Sequence, residues 1–256
     1  MKRTCFLLLF LLYSLLHRQT MAQGVHACAE SRLSTSQRQA AASPAHQRLM
    51  DRYDVTFYKL DLQLERNSTF VAGSATIAAR AKAAPLQQFA FELHQALQVD
   101  SVVVNGRRER SVSRSQGEVT VNLSTAINTT ENFAAIIYYK GTAPGSGSAA
   151  IGDGLNTATE PEWGRQVTWS LSEPYAAYEW WPTKQVLTDK ADSVHVFVTT
   201  SAENKVGSNG VLTGTVPLPA NKVRYEWRSR YPIDYYLVSV AVSDYEEYVQ
   251  YAHPAG

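Results

Sequence analysis

Between Tyr58 and Glu65 the chain alternates strictly. Tyr58, Leu60, Leu62 and Leu64 are apolar, and Lys59, Asp61, Gln63 and Glu65 between them are polar. Successive side chains of a strand point to opposite faces, so this spacing predicts a strand buried on one face and wetted on the other. Val55 and Phe57, just upstream, occupy the opposite phase. One extra residue reconciles two phases, so a β-bulge or a crossing between sheets is expected at the start of this strand. Further strands are expected at Val71 to Arg80, Phe89 to Leu93, Leu97 to Val104, Val119 to Leu123 and Phe133 to Tyr139. Others are expected at Val194 to Thr199, Val223 to Arg228 and Tyr235 to Val242. Asn105-Gly106 and Asn209-Gly210 supply the positive backbone angles of tight turns. Short strands with regular turn signals and almost no helical periodicity argue for an all-β domain, a β-sandwich or an open, curved stack of sheets.

The first residues carry a different signal. Lys2 and Arg3 precede an apolar run from Phe6 to Leu16, and Thr20-Met21-Ala22 offers small residues at a cleavage site. This pattern predicts a secretory signal at 1–22 and an exported chain, periplasmic, extracellular or at the cell surface. An uncleaved anchor is the other reading of the same run, although no segment approaches the ~20 apolar residues of a span. Loss of Lys2, Arg3 and Arg18 takes the 24 basic residues to 21 against 23 acidic ones, a balance of about −2. The remaining charges are interspersed without a basic stripe, so neither nucleic acid nor an anionic membrane surface is an expected partner. Cys5 leaves with the signal and Cys28 then has no partner, so the core must hold without an internal disulfide. Residues 23–50 read as an arm rich in Ala, Gln, Arg and Ser. Ser43-Pro44 marks the start of a short helix through about Met50, with serine as the cap and proline at the first helical position. A mobile arm with nascent helix is the alternative for Gln23 to Ala42. Gly141 to Asn156, with five glycines, reads as a loop. The β domain is expected over 51–256.

Chemistry concentrates in one stretch, Trp169 to Pro182, running on to Ser193. Three of the five tryptophans fall here, and Glu173 sits among them between Ser172 and Pro174. Tryptophan combines a large apolar area with one N–H that needs a partner, so such a cluster marks a packed seam or a contact surface. Pro174 and Pro182 exclude regular structure. A loop bearing a carboxylate and large aromatics is a stronger functional pointer than a core strand. For each tryptophan alone, filling a seam is the better reading.

An ordered series of short markers resembles the N-terminal domain of the aminopeptidase N family, the zinc exopeptidases that include leukotriene hydrolase. The series runs through Arg52-Tyr53-Asp54-Val55, Phe91-Glu92-Leu93, Ser172-Glu173-Pro174, Trp181-Pro182 and Asp189-Lys190-Ala191-Asp192. It continues with Ser208-Asn209-Gly210 and with Tyr231-Pro232-Ile233 ahead of Tyr236-Leu237-Val238-Ser239. The similarity covers roughly Ala45 to Tyr248. It implies a saddle-shaped, mostly antiparallel, sandwich-like β domain with a short N-terminal helical segment, packed over a catalytic domain. It also implies that Glu173 holds the free α-amine of a peptide substrate, with Tyr175 and Trp180 beside it at the substrate. An ammonium offers three donors, and a carboxylate accepts charge-assisted bonds. Tyr178 stands where many relatives have arginine, and Pro182-Thr183 with Gln185 stands where they have Pro-Cys and a nearby aspartate. The bracing of the loop is therefore expected to differ.

The family's zinc chemistry needs His-Glu-x-x-His on one helix face and a downstream glutamate. The six histidines, His17, His26, His46, His94, His195 and His253, include no two four residues apart and none followed by glutamate. No cofactor is expected in this chain, and zinc only in a complete family member. The expectation is a capping domain, inactive alone, whose partner is a catalytic domain that is missing or separate. The alternative is a free-standing secreted module that binds peptide or carbohydrate through the same aromatic surface. Two further chemistries have weaker footing. Asp189 and Asp192 with Glu173 could form a carboxylate pair for glycoside cleavage, but acids of this kind are more often solvated or capping residues. Ser172-Glu173 has no histidine nearby and no Gly-x-Ser-x-Gly elbow occurs.

Overall fold

The computed structural model describes residues 42–82, 85–144 and 154–252. Residues 1–41, which hold the expected signal and most of the expected arm, and residues 145–153, in the middle of the glycine-rich stretch, lie outside the described residues.

A single short helix, α1 (Pro44–Met50), opens the described chain. Ser43 caps it, its hydroxyl accepting a hydrogen bond from the His46 N–H at 3.2 Å, and proline occupies the first turn. Strands follow: β1 (Tyr53–Glu65), β2 (Ser68–Ala81), β3 (Leu86–Glu92), β4 (Leu97–Val104), β5 (Arg107–Glu109), β6 (Ser111–Ser115), β7 (Glu118–Ile127), β8 (Asn132–Thr142), β9 (Leu155–Thr159) and β10 (Gln166–Ser170). After a 3₁₀ turn, η1 (Ala177–Glu179), come β11 (Ser193–Ser201), β12 (Lys205–Ser208), β13 (Val211–Leu218), β14 (Lys222–Ser229), the 3₁₀ turn η2 (Tyr235–Leu237) and β15 (Val240–Ser243).

These strands form three sheets. The largest has eight strands in the order β13-β14-β11-β1-β2-β8-β4-β5; a second runs β12-β15-β10-β9, and a third β3-β7-β6. All the pairings are antiparallel except β1 with β11. The domain is all-β and mostly antiparallel.

β1 obeys its sequence. Tyr58, Leu60, Leu62 and Leu64 are buried, and the register against β2 shifts between Val55 and Phe57, where the two phases collide. The bulge lets Tyr53 and Val55 share the buried face with Tyr58 and turns Phe57 to the other side, edge-on to the His195 ring at 4.8 Å. The outer face of β1, β11 and β14 carries Lys59, Asp61, Arg224 and Glu226 in partly exposed ion pairs.

The Asn105-Gly106 turn between β4 and β5 has both residues at positive φ, 49° and 79°, as a tight hairpin requires. Asn209-Gly210 also turns the chain, but between strands of two different sheets, so it closes no hairpin. The strand expected over Tyr235 to Val242 is corrected: η2 occupies its first half and β15 begins only at Val240. The chain turns there because the Asn209 side chain takes the local backbone groups, accepting from the Ser239 N–H at 2.7 Å and donating to the Leu237 carbonyl at 3.0 Å.

Candidate functional site

The stretch between β10 and β11 is held by the core at several points while leaving Glu173 outside. Ser172 is buried. Its hydroxyl accepts from the Trp180 indole N–H at 2.9 Å and its carbonyl from the Ala176 N–H at 3.0 Å. The Pro174 carbonyl accepts from the buried Tyr235 hydroxyl at 2.6 Å. Burial and the neighbouring Tyr175 push the Tyr235 hydroxyl well above the ordinary phenol range, so it stays a neutral donor. Between Ser172 and Pro174, Glu173 is exposed, joined to Pro174 by a cis peptide bond. Tyr175 is half-buried beside Tyr235. Tyr236 meets the Tyr235 ring edge-on at 5.5 Å and lies in the field of both Asp234 and Glu173. Glu173 therefore stands at the rim of a tyrosine cluster on a backbone fixed on both sides.

Trp180 is corrected from the contact surface to the core. Its side chain has no exposed area, its N–H is already engaged with Ser172, and its carbonyl accepts from the Tyr139 hydroxyl at 3.0 Å. Trp181 is likewise fully buried, edge-on to Tyr58 at 4.9 Å and packed on Trp180 at 6.1 Å. An aromatic with no free face cannot stack on a ligand; it can only stiffen the loop that presents one. Gly154 makes the closest approach from outside. Its N–H donates to Glu179 at 2.8 Å, and a Cβ there would lie 2.2 Å from the Ala176 carbonyl oxygen. Only glycine fits.

Lys184, Gln185 and Glu92, none of them a site candidate from sequence, carry the rest of the bracing together with Asp189. Lys184 is 1% exposed; its ammonium donates to the Tyr53 carbonyl at 2.6 Å and to the Asp189 carboxylate, and lies 4.5 Å from the Tyr53 ring centroid. Asp189 accepts in addition from the Val55 N–H at 3.1 Å. Burial holds the Lys184 pKa below its ordinary value, and Asp189 opposes that shift. Gln185 fills the position where the family pattern has another residue. Its N–H and side-chain N–H donate to the two carboxyl oxygens of Glu92 at 3.1 and 3.2 Å, and its side-chain oxygen accepts from the Tyr178 N–H at 3.3 Å. Glu92 is 1% exposed, and burial pushes its carboxyl up to about 7 despite the two bonds from Gln185. A lysine and an aspartate five residues apart in an aromatic loop were the only signal for the first pair. Nothing local marks Gln185 and Glu92, which are 93 residues apart in sequence.

The remaining candidates separate. Asp189 is committed to Lys184, whereas Asp192 and Glu173 are exposed, so the carboxylate pair for glycoside cleavage gains no geometry. His46 is buried against the Phe91 carbonyl, His94 accepts from the Ala96 N–H, and His195 packs between Phe57 and Phe197. Among the described residues no group of three or more His, Cys, Asp or Glu is placed to hold a metal ion. The zinc that the resemblance implies has no fitting set of ligands among these residues. Among those residues, too, no helix is long and apolar enough to cross a membrane.

No family model matches the sequence, and no curated protein matches it. Solved structures do. An M1 zinc metallopeptidase from Deinococcus radiodurans, in an alanine variant, aligns with a TM-score of 0.65 at 25% identity. The unsubstituted enzyme gives 0.65 at 24%, and the variant bound to a Tyr-Ser-Ala substrate gives 0.63 at 24%. In each case the match covers 75% of this chain and 42% of the other, so this chain spans less than half the length of the structures it matches. The chain is thus similar to the M1 zinc metallopeptidases, the aminopeptidase N family, over a stretch consistent with an N-terminal domain of that family.

Proposed function

We propose that this chain is the substrate-capping N-terminal β domain of an exported zinc aminopeptidase, and that it supplies the wall of the active site that holds the substrate's free α-amine through Glu173. The zinc site and its chemistry belong to a catalytic domain in the same assembly. The supporting observation is the contrast within three residues: Ser172 and the Pro174 carbonyl are fixed to the core, while Glu173 between them is exposed. A preorganised carboxylate loses little freedom on meeting an ammonium, and water excluded by a covering domain would strengthen the contact. The Tyr-Ser-Ala substrate bound to the related enzyme is a peptide, in keeping with this reading.

Exposed aromatics give the partner a surface. Trp163, Tyr231, Tyr248 and Tyr251 are 72%, 81%, 82% and 80% exposed and are open to contact by such a partner.

The purified chain should retain no zinc and release no N-terminal residue from aminoacyl substrates. Stoichiometric zinc with chelator-sensitive activity in this chain alone would contradict the reading.

A further inference from the structure

The Glu173 loop is tied to the third sheet around one buried residue, Glu92, through both its backbone and its carboxyl. Glu92 ends β3, and its backbone pairs with Thr183 in both directions, at 2.8 and 3.0 Å. Its side chain takes both N–H groups of Gln185, whose oxygen in turn holds the Tyr178 N–H. The Tyr178 carbonyl accepts from the His94 N–H at 2.7 Å, closing a ring of bonds from β3 to the loop and back. The field of Glu92 also reaches the Tyr235 hydroxyl, the group that fixes the Pro174 carbonyl next to Glu173.

We propose that Glu92 is the positioning residue of the Glu173 loop, holding it through Gln185 and Thr183 while its carboxyl is neutral and loosening it when the carboxyl ionises. This inference rests on the reading that Glu173 is the functional carboxylate, although the latch itself does not depend on it. The physical reason is desolvation. Glu92 is almost fully removed from water, and across the strand pair it faces Glu118, another acid. A charge there is opposed by burial and by Glu118 and is only partly offset by Gln185. When the loop opens, water reaches the carboxyl and its pKa returns towards the ordinary glutamate value, so ionisation favours the open form.

Other groups packed around Glu92 do not supply this response. From β1, Tyr53 and Tyr58 are buried with their hydroxyls pushed up, and Tyr235 is likewise neutral at these pH values. From the loop itself, Lys184 is paired with Asp189. From α1, His46 lies 3.9 Å from Glu118 with its pKa lowered by burial. His94, at the start of the next turn, is lowered by burial and by Arg114. The two histidines titrate towards the acid side, and a substitution at Glu92 separates their contribution from its own.

The test is amide hydrogen exchange of the full chain between pH 5 and 8, corrected for intrinsic rates. Protection of the Gln185 and Tyr178 amides should fall as pH rises to about 7.5, by up to about a hundredfold, while the β1–β2 amides stay protected. Glu92→Gln should abolish the pH dependence, and Gln185→Ala should leave Tyr178 weakly protected at every pH. A thermal scan of each variant confirms that it folds. A flat wild-type profile, or the same pH step in Glu92→Gln, would overturn the latch. If the step is present but Glu173→Ala leaves peptide hydrolysis by the zinc-bearing assembly unchanged, the latch stands and the functional reading of Glu173 falls.

Discussion

The central sheet and the loop between β10 and β11 bury their residues by opposite means. On β1 and β2 most of the buried positions, among them Leu60, Leu62, Leu64, Val71, Ala75 and Ile77, ask only for shape and volume. In the loop, Ser172, Lys184, Gln185 and Asp189 are buried beside Trp180 and Trp181, and each of these polar side chains has its partner in one particular place. A buried apolar strand tolerates small shifts, whereas a buried polar network holds one geometry or loses most of its stability. The loop therefore gives up stability relative to an apolar seam and gains a fixed backbone on which a single acid can be displayed.

The comparison can be broken most forcefully at the ion pair. Lys184→Ala leaves the Asp189 carboxylate buried without its cation and should destabilise the chain by about 3–5 kcal/mol in urea unfolding. The double variant Lys184→Met with Asp189→Leu should cost markedly less than Lys184→Ala alone. If the single and double changes cost the same, the loop is held by packing, as the sheet is. A smaller effect comes from Glu92. Its carboxyl is raised to about 7 in the folded chain, against an ordinary value of 4.5. Below about pH 4.5 both states bind the proton, and stability is unaffected. Between there and about 7 only the folded state keeps it, so stability should fall as pH rises, by roughly 3–4 kcal/mol in total, and level off above. Glu92→Gln should remove that slope from a pH series of unfolding midpoints.

Gly154→Ala sharpens the contrast further. Its Cβ would meet backbone at 2.2 Å, so the loop must shift, at about 1–3 kcal/mol by thermal unfolding. The smallest effect on folding belongs to Glu173→Ala, which should stay within about 0.5 kcal/mol because that side chain is exposed.

This division also explains what could be read from the sequence. β1, its bulge, the Ser43-Pro44 helix start and the Asn105-Gly106 turn were legible because each is set by residues within a few positions of one another. β6 and β13 were not. All of β6 and most of β13 are exposed, so neither has a buried face to impose alternation on its residues. Glu173 was singled out by its place in the aromatic loop, and the ordered family markers gave it the expected role of amine anchor. The partnership of Glu92 with Gln185 was hidden because burial of a polar side chain depends on what the fold brings opposite it. For Trp180 the sequence left two places open for a related reason: an aromatic at a contact surface and one in a seam have the same sequence signature.

The most direct test of the central claim is the effect of Glu173→Ala on hydrolysis of free-amine peptides, measured in the assembly that contains the zinc-bearing domain. An exposed carboxylate on a fixed backbone, serving as the amine anchor, predicts a fall in kcat/KM of about 10- to 100-fold with the unfolding midpoint unchanged. An unchanged kcat/KM would contradict it.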